Sequence, residues 1–126
     1  TGWMLEYNNL SSNGFKTLPN GGDTGFKKND LLVKGNIFKG SKSAKKQNLV
    51  IKLGYNDEDS NETYLGLAND DFGQDSYQRY SSSQNDRMLN NHQLIQLHYD
   101  IVLNNDISMN IKTYHHQFKR NWSKFN

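Results

Sequence analysis

A short acidic run is the part of this chain that comes closest to a metal-binding motif. Asp57, Asp59 and Asn61 have the spacing with which a calcium loop of the EF-hand type begins. Such a loop continues with glycine at its sixth position and a bidentate glutamate at its twelfth, whereas this chain has Glu62 and Ala68 there. We therefore interpret the run as a solvated acidic loop and predict no metal site in it.

The four histidines are also spaced unfavourably for a shared metal ion. His92 and His98 lie six residues apart, which is about 20 Å along an extended strand. His115 and His116 are adjacent, so a strand would direct them to opposite faces. A metal site built from these histidines would need partners from outside the segment. Cysteine is absent, which excludes disulfides and thiolate metal sites.

The remaining residues form no recognisable catalytic arrangement. The chain has no nucleophile elbow, no phosphate-binding loop and no convincing acid–base pair, so we expect no enzyme activity and no intrinsic cofactor. A lysine cluster could bind phosphate or lipid headgroups, but a charge run at a turn is usually solvated. This cluster comprises Lys39, Lys42, Lys45 and Lys46. The isoelectric point near 8.8 is only mildly basic and does not favour nucleic acid as a partner.

The composition argues against an ordinary self-contained domain. Only 33% of the residues are apolar, the mean hydropathy is −0.95, and yet 12% are aromatic with a net charge of only +2. Disordered chains usually have few aromatics and a high net charge, so this combination favours exposed β-structure. No apolar run reaches the roughly 18 residues of a transmembrane helix, although β-barrel strands need only about 9–11. If the protein is exported, the missing signal peptide before Thr1 implies that these residues are an excerpt of a longer chain.

Alternation with a period of two predicts an all-β fold of about five antiparallel strands. The predicted strands are residues 1–10, 30–39, 47–56, 91–103 and 106–118. They are longer than the globular average of about 5–6 residues and match strands that cross a membrane at a tilt. One face of each is mainly apolar and the other polar. A β-sandwich would show the same alternation, with its apolar face in the core.

The predicted connections alternate in length. Residues 10–29 and 55–90 are long, residues 39–46 are short, and Asn104-Asn105 is predicted to be a two-residue hairpin turn. In an antiparallel sheet all long connections then lie at one end, which is typical of outer-membrane barrels. Four aromatic residues could form a girdle at the membrane interface, or could simply pack on the sheet. These are Trp3, Tyr7, Tyr55 and Tyr99.

Several strings resemble TonB-dependent outer-membrane receptors of the ferric-citrate type. The strings are NGFK (13–16), GGDTGFKKND (21–30), KLGY (52–55), SNETYLGL (60–67), DDF (70–72), YQRY (77–80) and RNW (120–122). The resemblance extends from about residue 13 to residue 125, and its most specific part is NETYLGL. At positions 78 and 79 the family often has two arginines, whereas this chain has Gln78 and Arg79.

The resemblance implies that residues 1–126 are part of a receptor barrel domain without its plug domain. Barrels of this kind have about 22 strands. The implied function is binding and import of a ferric chelate, ferric citrate or a similar siderophore, with energy from the TonB system acting through the plug. The implied partners are this chelate, the TonB system and outer-membrane lipid, and the implied location is the bacterial outer membrane.

A ferric chelate of a hydroxy acid is anionic, and arginine binds such oxygens through charge-assisted hydrogen bonds. We therefore predict ligand contacts in the longest connection at Arg79 and Arg87, with Tyr77 and Tyr80 beside them. Three alternatives stay open. They are a different cargo (another siderophore, a sugar or a cobalamin), a barrel without transport, and a soluble secreted β-sandwich that binds carbohydrate through its aromatics.

Overall fold

One five-stranded antiparallel sheet dominates the structure, a computed structural model that describes residues 1–40 and 45–125 of the 126-residue chain. The strands follow one another in the order β1-β2-β3-β4-β5. They are β1 (Gly2–Ser12), β2 (Phe26–Lys39), β3 (Gln47–Asn61), β4 (Arg87–Val102) and β5 (Ser108–Ser123). All five predicted strands are confirmed, with lengths of 11 to 16 residues. Lys42 of the predicted lysine cluster falls outside the ranges that the structure describes.

Side-chain alternation along the pleated strands gives two different faces to the first of two compact units. This unit comprises Thr1–Asn8, Asp30–Asn56 and His92–Phe118. Even-numbered positions carry most of its Asn, Asp, His and Lys side chains, and we call this side the polar face. Odd-numbered positions carry most of its Leu and Ile side chains, and we call this side the apolar face.

Hydrogen bonds between side chains connect four strands across the polar face. Asn36 of β2 donates to Oδ1 of Asn48 on β3, and Asn48 donates to Oδ2 of Asp100 on β4 at 3.3 Å. Asn110 of β5 donates to the other oxygen of Asp100. Directly opposed side chains are the natural partners in an antiparallel sheet. This row therefore reinforces the strand register that the backbone ladder sets.

The apolar face of the first unit is uncovered. Trp3 is 82% exposed, Leu5 60% and Ile95 51%. Within the described part of the chain, Leu18 is the one large apolar side chain that is buried, and it belongs to the other unit. On β4 the polar residues Gln96 and Asp100 are half-buried while Ile95 and Leu97 are exposed, the reverse of a sheet packed on a core.

The second unit contains the two long connections, residues 13–25 and 62–86. They pair through a parallel bridge, in which Thr17 N donates to Tyr77 O at 2.9 Å and Arg79 N donates to Thr17 O at 2.8 Å. Helix α1 (Asn69–Gln74) and a 3₁₀ helix (Ser81–Asn85) lie in the second connection. Neither was predicted, because segments of six and five residues are too short to show a helical period. Neither described helix is long and apolar enough to cross a membrane.

The predicted two-residue turn at Asn104-Asn105 is wrong. Strand β4 ends at Val102 and β5 begins at Ser108, so five residues form the connection. A two-residue type I′ turn requires positive φ at both residues, and no described residue other than glycine has one. Instead Oδ1 of Asn104 accepts hydrogen bonds from the backbone of Asp106 at 3.0 Å and of Ile107 at 2.8 Å.

Two glycines allow the first long connection to fold back on itself. Gly14 has a φ of +81°, in the left-handed region that favours glycine. Gly25 is buried, and a Cβ at this position would lie 1.9 Å from the carbonyl oxygen of Ser12. Its own carbonyl oxygen accepts a hydrogen bond from Asn61 N at 2.9 Å. The close backbone approach therefore joins the end of β1 to the end of β3.

We expect Gly25→Ala to lower the free energy of unfolding by about 1–3 kcal/mol, since the added methyl group must displace backbone. Denaturant unfolding followed by circular dichroism measures this change. Gly66→Ala is the matched control, because a Cβ at Gly66 would meet nothing within 4 Å. Equal stability losses in the two variants would contradict the steric explanation.

Candidate functional site

The four residues predicted to bind ligand all lie in the second unit. Tyr77, Arg79 and Tyr80 belong to the connection between β3 and β4, and Arg87 is the first residue of β4. The first three are within one short segment that follows α1. The side chain of Arg87 instead lies against β3. The structure therefore places the two arginines in different surroundings within one unit.

Backbone carbonyl groups hold the guanidinium group of Arg79. Its Nη1 donates to the carbonyl oxygen of Ser76 at 3.0 Å and to that of Gln78. The side chain is half-buried, and the neighbouring Gln78 donates through Nε2 to the carbonyl oxygen of Asp71 at 2.7 Å. The two carbonyl groups that hold Arg79 are neutral, so they leave its positive charge in place. The result is an oriented cation that retains its charge for an anionic ligand.

Arg87 forms a bidentate ion pair with Asp59. Its Nε lies 2.8 Å from Oδ1 and its Nη2 lies 2.6 Å from Oδ2. The hydrogen bonds from Arg87 hold the pKa of the Asp59 carboxyl below its usual value. Both side chains are about half-exposed, at 52% and 43%, and such surface pairs contribute little to stability. An anionic ligand at Arg87 would have to compete with Asp59.

The acidic run that contains Asp59 lies in a strand, so the prediction that it forms a solvated loop is wrong. Asp57, Asp59 and Asn61 lie in the extended strand β3, which ends at Asn61. Successive side chains of a strand alternate between faces, so the local wrapping of a calcium loop does not form. Among the described residues, no group of three or more His, Cys, Asp or Glu side chains could hold a metal ion.

The two tyrosines make different contacts. The hydroxyl group of Tyr80 accepts a hydrogen bond from Ala68 N at 3.0 Å and donates to Oδ2 of Asp71, so Tyr80 anchors the start of α1. The ring of Tyr77 packs edge-to-face against Phe15 with 5.9 Å between centroids. Tyr77 is nevertheless 57% exposed. The ring of Tyr77 is therefore more accessible to a ligand than the ring of Tyr80, which is half-buried.

Asp86 holds several backbone segments of the second unit together, a role that the sequence did not predict. It is only 4% exposed, and its carboxylate accepts hydrogen bonds from Tyr64 N at 3.0 Å and Phe125 N at 2.7 Å. Its carbonyl oxygen accepts a third from Glu62 N at 2.9 Å. One buried carboxylate thus joins both ends of the long connection to the end of the chain. An aspartate in a polar stretch gives no sequence signal of such a role.

An aromatic cluster forms where the segment SNETYLGL (60–67) meets the segment RNW (120–122). Tyr64 packs on Trp122 with 4.7 Å between ring centroids. Arg120 lies 5.4 Å and Lys124 lies 5.1 Å from the centroid of the Trp122 ring, within cation–π distance. Burial is the largest cause of a raised pKa at the Tyr64 hydroxyl. Tyr64 lies in the connection after β3 and Trp122 lies on β5. The carboxylate of Asp86, which accepts from Tyr64 N and Phe125 N, holds these two distant segments close together.

Two histidines that are far apart in the chain meet across neighbouring strands. The rings of His92 on β4 and His116 on β5 are 5.8 Å apart between centroids. Spacing along the chain does not predict this contact, because the antiparallel register sets which residues are neighbours across strands. His98 instead lies 3.2 Å from Oδ1 of Asp100. Two histidines alone do not complete a metal site.

No family model, curated protein or solved structure matches this chain. The geometry of the site itself therefore indicates which ligands it can bind. That geometry consists of an oriented cation at Arg79, an exposed ring at Tyr77 and two connections joined at Thr17. Such an arrangement can bind an anionic ligand that also has a flat or apolar surface.

We expect Asp86→Ala to loosen residues 62–86, because two backbone N–H groups lose a charged acceptor. Hydrogen bonds to charged groups contribute about 1.5–3 kcal/mol, so native-state tryptic cleavage after Arg79 should accelerate about ten- to a hundredfold. Asp106→Ala is the control, since Asp106 is an exposed aspartate in the connection before β5. Unchanged cleavage in Asp86→Ala, or the same acceleration in the control, would rule out this role for Asp86.

Proposed function

We propose that this chain forms part of the wall and the loops of a β-barrel receptor in the bacterial outer membrane. The observation that carries the proposal is the exposure of the apolar face of the first unit. Leu5, Ile95 and Ile111 are between 46% and 60% exposed. Each such side chain gains about 1.5–3 kcal/mol on full burial, and membrane lipid supplies that cover in a barrel.

Aromatic residues at both ends of the apolar face support a membrane setting. Asn56 of β3 hydrogen-bonds to Asp30 of β2. Tyr55 precedes Asn56 and Leu31 follows Asp30, so Tyr55 and Leu31 are neighbours across these two antiparallel strands. Tyr7 lies at the same end, since Asn9 of β1 donates to Oδ1 of Asn29 on β2 at 2.6 Å, and this antiparallel register sets Tyr7 beside Leu31. Trp3, near the start of β1, and Tyr99, near the end of β4, lie at the other end of the sheet. Aromatic girdles of this kind flank the apolar band of outer-membrane barrels.

The polar face and the sheet edges are consistent with the same setting. A water-filled lumen suits the hydrogen-bonded row of Asn36, Asn48 and Asp100, which is half-buried although it is polar. Strands β1 and β5 are the two edges, and every residue in them is exposed. Unpaired edges invite further strands, and barrel closure satisfies them.

The cargo that we propose is a ferric chelate of a hydroxy acid, such as ferric citrate. The resemblance of residues 13–125 to ferric-citrate receptors supports this choice, and so does the oriented positive charge of Arg79 beside Tyr77. Arg87 joins the site when an anionic ligand displaces Asp59. Energy for import would come from the TonB system through a plug domain that these residues do not include.

Spin labels on consecutive residues of β4 test the membrane setting. Residues 1–126 contain no cysteine, so a single cysteine introduced at one of positions 94–98 is their one labelling site; any cysteine elsewhere in the full reading frame is first replaced by serine. In outer membranes of cells that express the full reading frame, labels at Ile95 and Leu97 should collide with lipid-soluble oxygen but not with a water-soluble nickel chelate. Labels at Leu94, Gln96 and His98 should show the opposite preference, because they lie on the polar face.

Two other accessibility patterns are informative. Exclusion of both reagents from Ile95 and Leu97 would indicate a second protein layer on the apolar face, as in the soluble carbohydrate-binding sandwich. Access of the nickel chelate to both faces would indicate an uncovered sheet in water. Either result would sink the barrel proposal, as would absence of the protein from the outer-membrane fraction with no heat-dependent shift in gel mobility.

The proposed cargo is tested by uptake of radiolabelled ferric citrate into cells with and without the gene. Uptake should require both the gene and an intact TonB system. Arg79→Gln should raise the half-saturating concentration about tenfold or more, since one charge-assisted contact is lost. Arg120→Gln, in which the altered arginine contacts Trp122 instead, should stay within about twofold of the wild type. Gene-independent uptake of ferric citrate would exclude this cargo.

A further inference from the structure

We propose that a cleft on the polar face, bounded by Lys34, Lys52 and His98, is a binding site for a small oxyanion with two or more negative charges. The cleft has a volume of about 290 Å³. Val50 and Gln96 complete its lining. This site is separate from the loop residues of the second unit.

The strand register brings the two lysines together. Asn36 bonds to Asn48 below the cleft and Asn56 bonds to Asp30 above it, which places Lys34 of β2 opposite the Val50–Lys52 stretch of β3. Neighbouring strands are about 4.8 Å apart. Both long side chains can therefore reach one ligand, and both line the same cleft.

The two lysines of the cleft have no carboxylate within ion-pair distance in the part of the chain that the structure describes. Among residues 1–40 and 45–125, neither Lys34 nor Lys52 forms an ion pair or a side-chain hydrogen bond. Like charges on neighbouring strands destabilise a sheet. The nearby carboxylates have other partners. Asp100 contacts His98, Asn48 and Asn110. Asp30 and Glu6, which line the neighbouring groove together with Lys52, accept hydrogen bonds from Asn56 and Asn8. A bound anion would offset the repulsion that the sheet otherwise retains.

The chemistry of the lining defines the class of ligand. Lysine ammonium groups act as compact point charges with three donors each, so they suit carboxylate and phosphate oxygens alike. The amide of Gln96 adds a neutral donor, and Val50 makes an apolar floor. A volume of 290 Å³ is at the lower limit of small-molecule pockets, which begin at about 300 Å³. Dicarboxylates and phosphate have the right size and charge.

The proposal goes beyond the receptor function and does not require it. The cleft is built from three strands of one unit, so it exists whether lipid or a second protein layer covers the apolar face. If the barrel proposal holds, the cleft lines the lumen, where an anionic cargo would meet it. Anion binding by the cleft is measured separately from transport. The cleft proposal can therefore fail while the receptor proposal stands, and the reverse.

The test is calorimetric titration of the purified protein with succinate and with inorganic phosphate, in the buffer or detergent in which circular dichroism shows the sheet. At least one probe should bind saturably, and chloride at equal ionic strength should not. The double variant Lys34→Gln/Lys52→Gln should lose affinity at least about tenfold, because two charge-assisted contacts disappear. Lys34→Arg/Lys52→Arg retains both charges and should keep affinity within about threefold.

Lys112→Gln is the matched control. Lys112 is on the polar face two residues from Asn110, yet it does not line the cleft, so its removal should leave binding unchanged. If the double glutamine variant fails to fold, the single variants Lys34→Gln and Lys52→Gln replace it, each with a smaller loss. Absence of saturable binding to both probes, or an equal loss in Lys112→Gln, would overturn the proposal.

Discussion

Consecutive side chains of a β-strand point to opposite faces, and in this chain that alternation separates apolar from polar residues over five long strands. The separation decides the environment of the whole sheet. A face with Trp3 and Leu5 largely exposed requires a cover, and a face crossed by the Asn36, Asn48 and Asp100 row requires water or polar contacts. A shift of one residue in the register of a strand would move all of its side chains to the opposite face.

Stability in such a sheet comes from sources other than a packed core. Backbone ladders and cross-strand amide–carboxylate pairs hold the strands in register. The long connections are held by two further devices, the close approach of Gly25 to Ser12 and the buried carboxylate of Asp86. Both act on backbone groups, so they constrain the path of the connections while leaving side chains such as Tyr77 exposed.

Rigid connections matter for recognition because ordering a mobile loop costs binding free energy. Arg79 illustrates the benefit, since two carbonyl groups orient its guanidinium before any ligand arrives. Arg87 represents the opposite case, because its charge is matched by Asp59 and a ligand must exchange one partner for another. The lysines of the polar-face cleft combine a lack of protein partners with a position set by strand register. These four cations therefore differ in how much of their charge the fold leaves to a ligand.

The sequence by itself determined the five strands, their antiparallel order and which residues share a face, because a period of two is a local property of the backbone. It did not determine that His92 meets His116, that Asp86 joins three backbone amides, that Asp59 pairs with Arg87, or that Asn104 closes a five-residue connection. Those contacts join residues from different strands and connections, or depend on the dihedral angles of a turn. Only the tertiary structure decides them, because cross-strand register sets which distant side chains become neighbours.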